Sequence, residues 1–254
     1  MCSSDLTRPS DILHRDHPDF SLVLGGPLYQ LLRRTHLADD SLSLLRQRIL
    51  FISFFCWLPL LALSLLESKV VGTNVAMPFL WDAEVHVRFL VVVPLLIAAE
   101  MVVHRRMRPL VQQFLERNVI PVEKMEQFDS AISSAIRLRN SVLAEVLLIV
   151  FVYGVGVLFI WRHYIMVADS ATWYAQPSSA GMKFSFAGLW YAYASMPIFQ
   201  FLLGRWYFRL FIWMRFLWQV SRIELSLVPT HPDRFGGIGF LANTAYAFMP
   251  VLMA

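Results

Sequence analysis

Four long apolar runs, joined by loops that differ sharply in basic content, leave this chain few ways to fold. The runs are Ile49 to Leu66, Val85 to Val103, Ser141 to Trp161 and Phe184 to Gly204. Each is about long enough to cross a ~30 Å hydrocarbon core as a helix. Arg8, Arg15, Arg33, Arg34, Arg46 and Arg48 precede the first run, and Arg105, Arg106, Arg108, Arg117, Lys124, Arg137 and Arg139 lie between the second and third. The other two connections hold only Lys69 with Arg88, and Arg162 with Lys183. Basic loops stay on the cytoplasmic side. The pattern therefore predicts a cytoplasmic N-terminus, outer loops at Glu67 to Glu84 and Arg162 to Lys183, and a cytoplasmic segment from Arg105 to Asn140.

Composition supports the same class. With 57% hydrophobic and only 16% charged residues in 254, the chain has more apolar surface than one soluble core of that size needs. The expected fold class is all-α, a polytopic membrane helix bundle with amphipathic cytoplasmic helices. The net charge of +4 comes from basic residues in short loops beside apolar runs, which is the placement that topology and anionic headgroups require. Nucleic acid is excluded as a partner on that ground. Cys2 and Cys56 cannot form a disulfide framework. About 48 residues precede the first run, so the first helix is expected to act as its own insertion signal.

The chain divides into six segments. Residues 1–48 form a cytoplasmic N-terminal segment in which Leu28, Leu31 and Leu32 share one face of a predicted interfacial helix beside Arg33 and Arg34, and Asp39-Asp40-Ser41 caps the helix that follows. Residues 49–104 are a first transmembrane pair, with Pro59 and Pro94 as packing features inside the spans. Residues 105–140 read as a cytoplasmic helical hairpin broken at Asn118 to Pro121. One arm carries Leu110, Val111, Phe114 and Leu115, the other Met125, Phe128, Ile132 and Ile136. Residues 141–204 are a second transmembrane pair.

Residues 205–240 are the ambiguous part. Trp206, Tyr207, Phe208, Phe211, Trp213, Phe216 and Trp218 make a fifth crossing conceivable, but Arg209 and Arg215 would then lie near the bilayer centre at about 2.5 to 3.5 kcal/mol each. A helix lying in the interface after a bend at Gly204, or one extending the fourth span inward, avoids that cost. Residues 241–254 read as the start of a further helix, cut short, which suggests a fragment of a longer protein.

Two constellations are candidate sites. The first is Pro229-Thr230-His231-Pro232-Asp233-Arg234-Phe235-Gly236-Gly237-Ile238-Gly239-Phe240. Its prolines and glycines impose an irregular backbone. His231, Asp233 and Arg234 supply a titratable base, a carboxylate and a bidentate cation, and the amides around Gly236 and Gly237 can line an anion or headgroup site. In that reading Asp233 orients Arg234. The competing reading is a re-entry loop in which Asp233 caps a neighbour.

The second constellation is an intramembrane polar cluster. Glu100 and His104 share a helical face near the inner end of the second span, and Glu145 lies near the inner end of the third. Such a cluster suits a proton or cation site, or simple pairing with Arg105, Arg106, Arg137 or Arg139. Asp82, Glu84, His86, His163 and Asp169 are metal-capable but lack ligand spacing. No metal and no cofactor is expected. Catalytic signatures such as a Walker loop, GxSxG or HExxH do not occur.

The His231 to Phe240 motif, together with Arg108-Pro109-Leu110-Val111 through Ile120-Pro121 and Gly25-Gly26-Pro27-Leu28 through Arg33-Arg34, resembles a family of uncharacterised bacterial multi-pass inner-membrane proteins. The resemblance runs over most of the chain from about Gly25. It implies a bacterial inner-membrane location and further helices beyond Ala254, and it carries no activity and no catalytic residue. Three function classes follow from the residues. A transporter or channel subunit for a small solute or ion would use Glu100, Glu145 and His104. A membrane sensor or scaffold would dock a cytoplasmic partner, and a membrane enzyme would act on a lipid-linked or phosphorylated substrate through His231, Asp233 and Arg234. Expected partners are the bilayer, anionic lipid headgroups, and a second copy or a cytoplasmic protein.

Overall fold

In the computed structural model, residues 21–23, 25, 45–71, 75–161, 171–178 and 181–254 are described. The N-terminal expectations at Leu28 to Arg34 and Asp39 to Ser41 fall outside them, as do His163 and Asp169. Helix α1 spans Leu45–Leu66 and α2 spans Ala83–Glu116. Helix α3 is Met125–Arg139, and α4 is Val142–Phe151 continued by a wider π-helical stretch to Trp161. A two-stranded antiparallel hairpin, β1 Ala175–Ser178 and β2 Gly181–Phe184, leads into α5, Phe186–Val220. A 3₁₀ turn at Gly239–Ala242 opens α6, Asn243–Leu252.

Helices α1, α2 and α5 are each long and apolar enough to cross a membrane, and α3 with α4 is a fourth candidate bent by 46°. The mostly helical architecture agrees with the expected class. The segment boundaries differ in two places, and both differences have the same cause. Helix α2 has 34 residues and α5 has 35, so each runs ~50 Å at ~1.5 Å per residue, about 20 Å more than a hydrocarbon core needs. The first arm of the expected 105–140 hairpin is therefore the end of α2. Of the two readings of Arg205 onward, the structure has the extension: the helix of the fourth run continues to Val220 with no break at Gly204. A side chain at Gly204 would meet Leu148 Cδ1 at 2.7 Å, so this glycine serves the close approach of α4 rather than a bend.

Proline explains two of the widened turns. Pro94 and Pro197 each follow a five-residue π-helical stretch, Arg88–Val92 and Tyr191–Ser195. A proline has no N–H for the carbonyl four residues back and its ring crowds that carbonyl, so the preceding turn opens. The carbonyl that Pro197 cannot serve, Tyr193 O, accepts the Tyr153 hydroxyl of α4 at 3.2 Å. Ser195 Oγ likewise donates to Cys56 O of α1 at 2.8 Å, in the turn before Pro59. The prolines thus become points of helix–helix attachment.

Two aromatic clusters close the bundle. At the hairpin end, Phe79, Trp173, Tyr174 and Tyr191 meet at ring distances of 5.1–6.2 Å. Ser185 caps α5 by accepting from Gly188 N and ties itself to Trp173 O. Asp82 caps α2 and accepts the Trp173 indole N–H at 2.9 Å. At the opposite end, Phe114 of α2, Phe128 of α3, Phe216 of α5 and Phe240 pack edge-on and tilted. These four rings form the core of a layer built from the extensions of α2 and α5. Asn118, with φ +49°, ends α2 as Val119 N bonds back to Phe114 O. Helix α6 then runs back along α2, with Tyr246 O accepting from Arg106 and Phe248 against Trp206.

Candidate functional site

Glu100 is 4% exposed and sits on the α2 face turned toward α1 and α5. Its Oε2 accepts from Arg48 Nη2 of α1 at 2.7 Å, and its Oε1 accepts from Arg209 Nη2 of α5 at 2.8 Å. Arg205, one turn before Arg209, lies 3.8 Å from Glu100 and 3.8 Å from Glu145 of α4. Arg209 also stacks over the Trp206 ring, 4.7 Å to its centroid. A charged knot therefore joins α1, α2, α4 and α5. Each buried charge is held by its partners because the helix around it is apolar and offers no other polar group.

The knot brings Glu100 and Glu145 together through Arg205, but with different arginines from those expected. Arg105 and Arg106 point away on the extension of α2, where neither reaches a carboxylate among the described ion pairs. The pairing arginines come from α1 and from the aromatic stretch of α5. Arg139 lines a small cavity with Glu145, Arg205 and Arg209; at about 20 Å³ it has room for one water. His104 is outside the knot: its Nδ1 hydrogen-bonds Ser21 Oγ at 2.9 Å. The charge balance also differs from a cation site. Among the described residues Arg48, Arg205 and Arg209 outnumber Glu100 and Glu145, an excess of positive charge.

All four helices place these charges at nearly one level. Arg48, Glu100, Glu145 and Arg205 lie ~24–29 Å of helix from the hairpin end of their respective helices. That is close to the ~30 Å thickness of a hydrocarbon core.

The second constellation folds on itself. The Asp233 carboxylate accepts from Phe235 N at 2.9 Å, Gly237 N at 3.1 Å and Gly239 N at 2.9 Å, and its Oδ1 lies 2.8 Å from His231 Nδ1. Burial alone would push the carboxyl up, but the amides of Phe235, Gly239 and Gly237 and the His231 contact hold it well below the usual carboxylate range. Positive φ at Arg234 (+58°), Gly236 (+69°) and Gly237 (+99°) turns those amides inward. The amides expected to line an anion site are therefore occupied by Asp233, which does not orient Arg234. Arg234 is exposed.

Gly239 belongs to this arrangement although sequence reasoning did not single it out. A side chain there would meet Asp233 Oδ2 at 2.9 Å. The x-G-G-x-G spacing was the available signal, since alternate amides facing one carboxylate require a residue without Cβ on the inside.

The metal-capable residues at the hairpin end are spent on structure. Asp82 caps α2, Glu84 pairs with Arg88, and His86 Nδ1 accepts the Trp57 indole N–H at 2.9 Å. No group of three or more His, Cys, Asp or Glu is arranged to hold a metal among the described residues. Compared with family models, curated proteins and solved structures, the chain gives no match in any of the three.

The α5 extension carries one further feature. Tyr207, Phe211, Met214 and Trp218 are 50–66% exposed and follow the 4-3-4 spacing of a heptad seam. They face away from the aromatic core that Trp213 and Phe216 enter. Arg215 and Arg222 both flank this seam at the position next to it, with Arg222 over the Trp218 ring at 5.2 Å.

Proposed function

We propose that the protein is an integral protein of the bacterial inner membrane, N-terminus in the cytoplasm, that serves as a scaffold. In this reading the inner extension of α5 docks an amphipathic partner helix with acidic flanks. The observation that carries it is the exposed seam Tyr207, Phe211, Met214 and Trp218, bordered by Arg215 and Arg222. Such a seam receives knobs from a facing helix, and charges beside it select the partner. The resemblance of the His231 to Phe240 motif to an inner-membrane family supports the location. So does the common level of the charged knot, one hydrocarbon thickness from the hairpin end, with the basic residues beyond it.

A photo-crosslinking residue at Met214 in growing cells tests the docking. A crosslinked peptide that forms an acidic-flanked amphipathic helix, lost on Arg215→Glu with Arg222→Glu, is the expected result. Crosslinks to lipid alone would sink the scaffold reading. Single-cysteine labelling tests the orientation, with reaction from outside expected at Gln176 and none at Ser130 or Thr230.

A transporter or channel subunit is the second reading. Its support is the charged knot, whose excess of arginine favours an anion over a cation. Anion flux in proteoliposomes that is abolished by Arg205→Gln would promote it over the scaffold.

A further inference from the structure

Among the described residues α1 and α4 make no extensive contact; α5 packs against both and forms the floor of an open trough. The trough has a volume of about 500 Å³ and is lined by Phe51 and Phe55 of α1, Ile149 and Tyr153 of α4, and Ile198 and Phe201 of α5. Its lining is almost wholly apolar, and its volume falls in the ~300–1,000 Å³ range of ligand sites. One end is different. Arg48 closes it at the level of the charged knot, and although that side chain is 3% exposed, its Nε has no hydrogen-bond partner among the described residues.

We propose that this trough binds one acyl chain of an anionic phospholipid of the inner leaflet, with the lipid phosphate drawn to Arg48 at its closed end. The inference rests on the membrane placement argued above, and on no part of the docking seam. Three features converge on this occupant. An apolar trough parallel to the helices matches an acyl chain in shape and chemistry. Arg48 stands about 27 Å of helix from Leu66 at ~1.5 Å per residue, so it lies where the hydrocarbon of one leaflet gives way to phosphates. The knot behind Arg48 has more guanidinium than carboxylate, so an anionic headgroup is favoured over a zwitterionic one. Arg48 Nη2 is held by Glu100 at 2.7 Å, which fixes the guanidinium; its Nε–H, buried beside the trough, is the donor without a partner among the described residues.

The test uses the full chain, first shown to remain in the membrane pellet after alkaline carbonate extraction. Release at that step overturns the membrane reading itself and is recognised separately from any lipid result. The detergent-solubilised protein is then titrated with dioleoylphosphatidylglycerol, dioleoylphosphatidylcholine or inorganic phosphate while its unfolding temperature is followed. Phosphatidylglycerol is expected to raise the midpoint by ~5–10 °C at about a hundredfold excess over Kd, phosphatidylcholine by less than half of that, and phosphate not at all.

Ile149→Trp fills the trough without touching the knot and should remove most of the phosphatidylglycerol shift. Arg48→Lys keeps the charge beside Glu100 but lacks Nε–H, and should make the two lipids equivalent. Leu143→Trp, on the exposed side of α4, should change neither. Equal shifts from both lipids in the wild type, or an Ile149→Trp protein that still responds fully, would overturn the proposal. So would an Ile149→Trp protein that loses a dimer with its lipid response intact, since the trough would then belong to a second copy.

Discussion

Glu100→Gln should be the most damaging single substitution at the charged knot. The carboxylate holds Arg48 at 2.7 Å, Arg209 at 2.8 Å and Arg205 at 3.8 Å, and all three arginine residues are at most 8% exposed. A glutamine keeps the shape and one acceptor oxygen but removes the counter-charge that Arg48 and Arg209 share. Breaking a buried pair costs about 3–5 kcal/mol because it strands the partner charge. Helices that separate within a bilayer find other polar partners, which favours the lower end of that range. A loss of about 3 kcal/mol is a ~100-fold fall in the folded-to-unfolded ratio.

Arg209→Gln should cost less, about 1–2 kcal/mol, since Glu100 keeps Arg48 and the local charge excess is relieved. The double variant should cost less than the sum, because each change removes the same contact. Reversible unfolding in mixed detergent micelles, with helicity as the readout, measures all three. A Glu100→Gln loss below about 1 kcal/mol, or additive single effects, would refute the knot as a coupled buried unit.

Other sites give sharper local tests. Gly188→Ala places a Cβ 1.9 Å from Tyr174 O, a backbone atom that cannot swing aside, so the start of α5 must shift; a fall in folded yield with faster proteolysis at the β1–β2 hairpin is expected. Tyr153→Phe removes the donor to Tyr193 O and should cost about 0.5–1.5 kcal/mol, read as a lower unfolding midpoint. At Arg234 (φ +58°), Arg234→Gly should stabilise the loop by up to about 1 kcal/mol, whereas Gly237→Ala at φ +99° should destabilise it.

The positions of the helices long and apolar enough to cross a membrane were legible because length and apolar runs mark them directly in the sequence. The ends of α2 and α5 were not. Arg105-Arg106 and Arg205 look like terminators when charge is read along the chain. Yet Arg205 and Arg209 are inside a helix because Glu100, more than 100 positions earlier in sequence, faces them. A local reading assigns the insertion cost of Arg209 in full; the fold cancels most of it with a carboxylate that no sequence spacing connects to it. Glu100 and Glu145 could be named from their rarity in apolar runs, while their partners depended on which helices pack side by side.

The loop at His231 shows the same division between residue type and arrangement, and supplies a prediction in pH. The glycines and the acid were readable as an anion-lined turn; that the anion is the chain's own carboxylate follows only from the left-handed backbone at Arg234, Gly236 and Gly237. Three amides on Asp233 favour its charged form, so its folded pKa is depressed. A depressed carboxyl pKa contributes stability that is present above the unfolded value of about 3.9 and is lost as pH falls through the folded value. The Gly237 and Gly239 amides should therefore stay protected from hydrogen exchange at pH 5, and should lose protection only under strongly acidic conditions. Asp233→Asn cannot accept from three amides with a full charge and should show the exposed rates already at pH 5. It should also leave the turn open to an external anion, so that phosphate slows exchange in the variant and has no effect on the wild type. Equal protection in Asp233→Asn and wild type at pH 5 would mean that the glycine backbone holds the turn without the carboxylate.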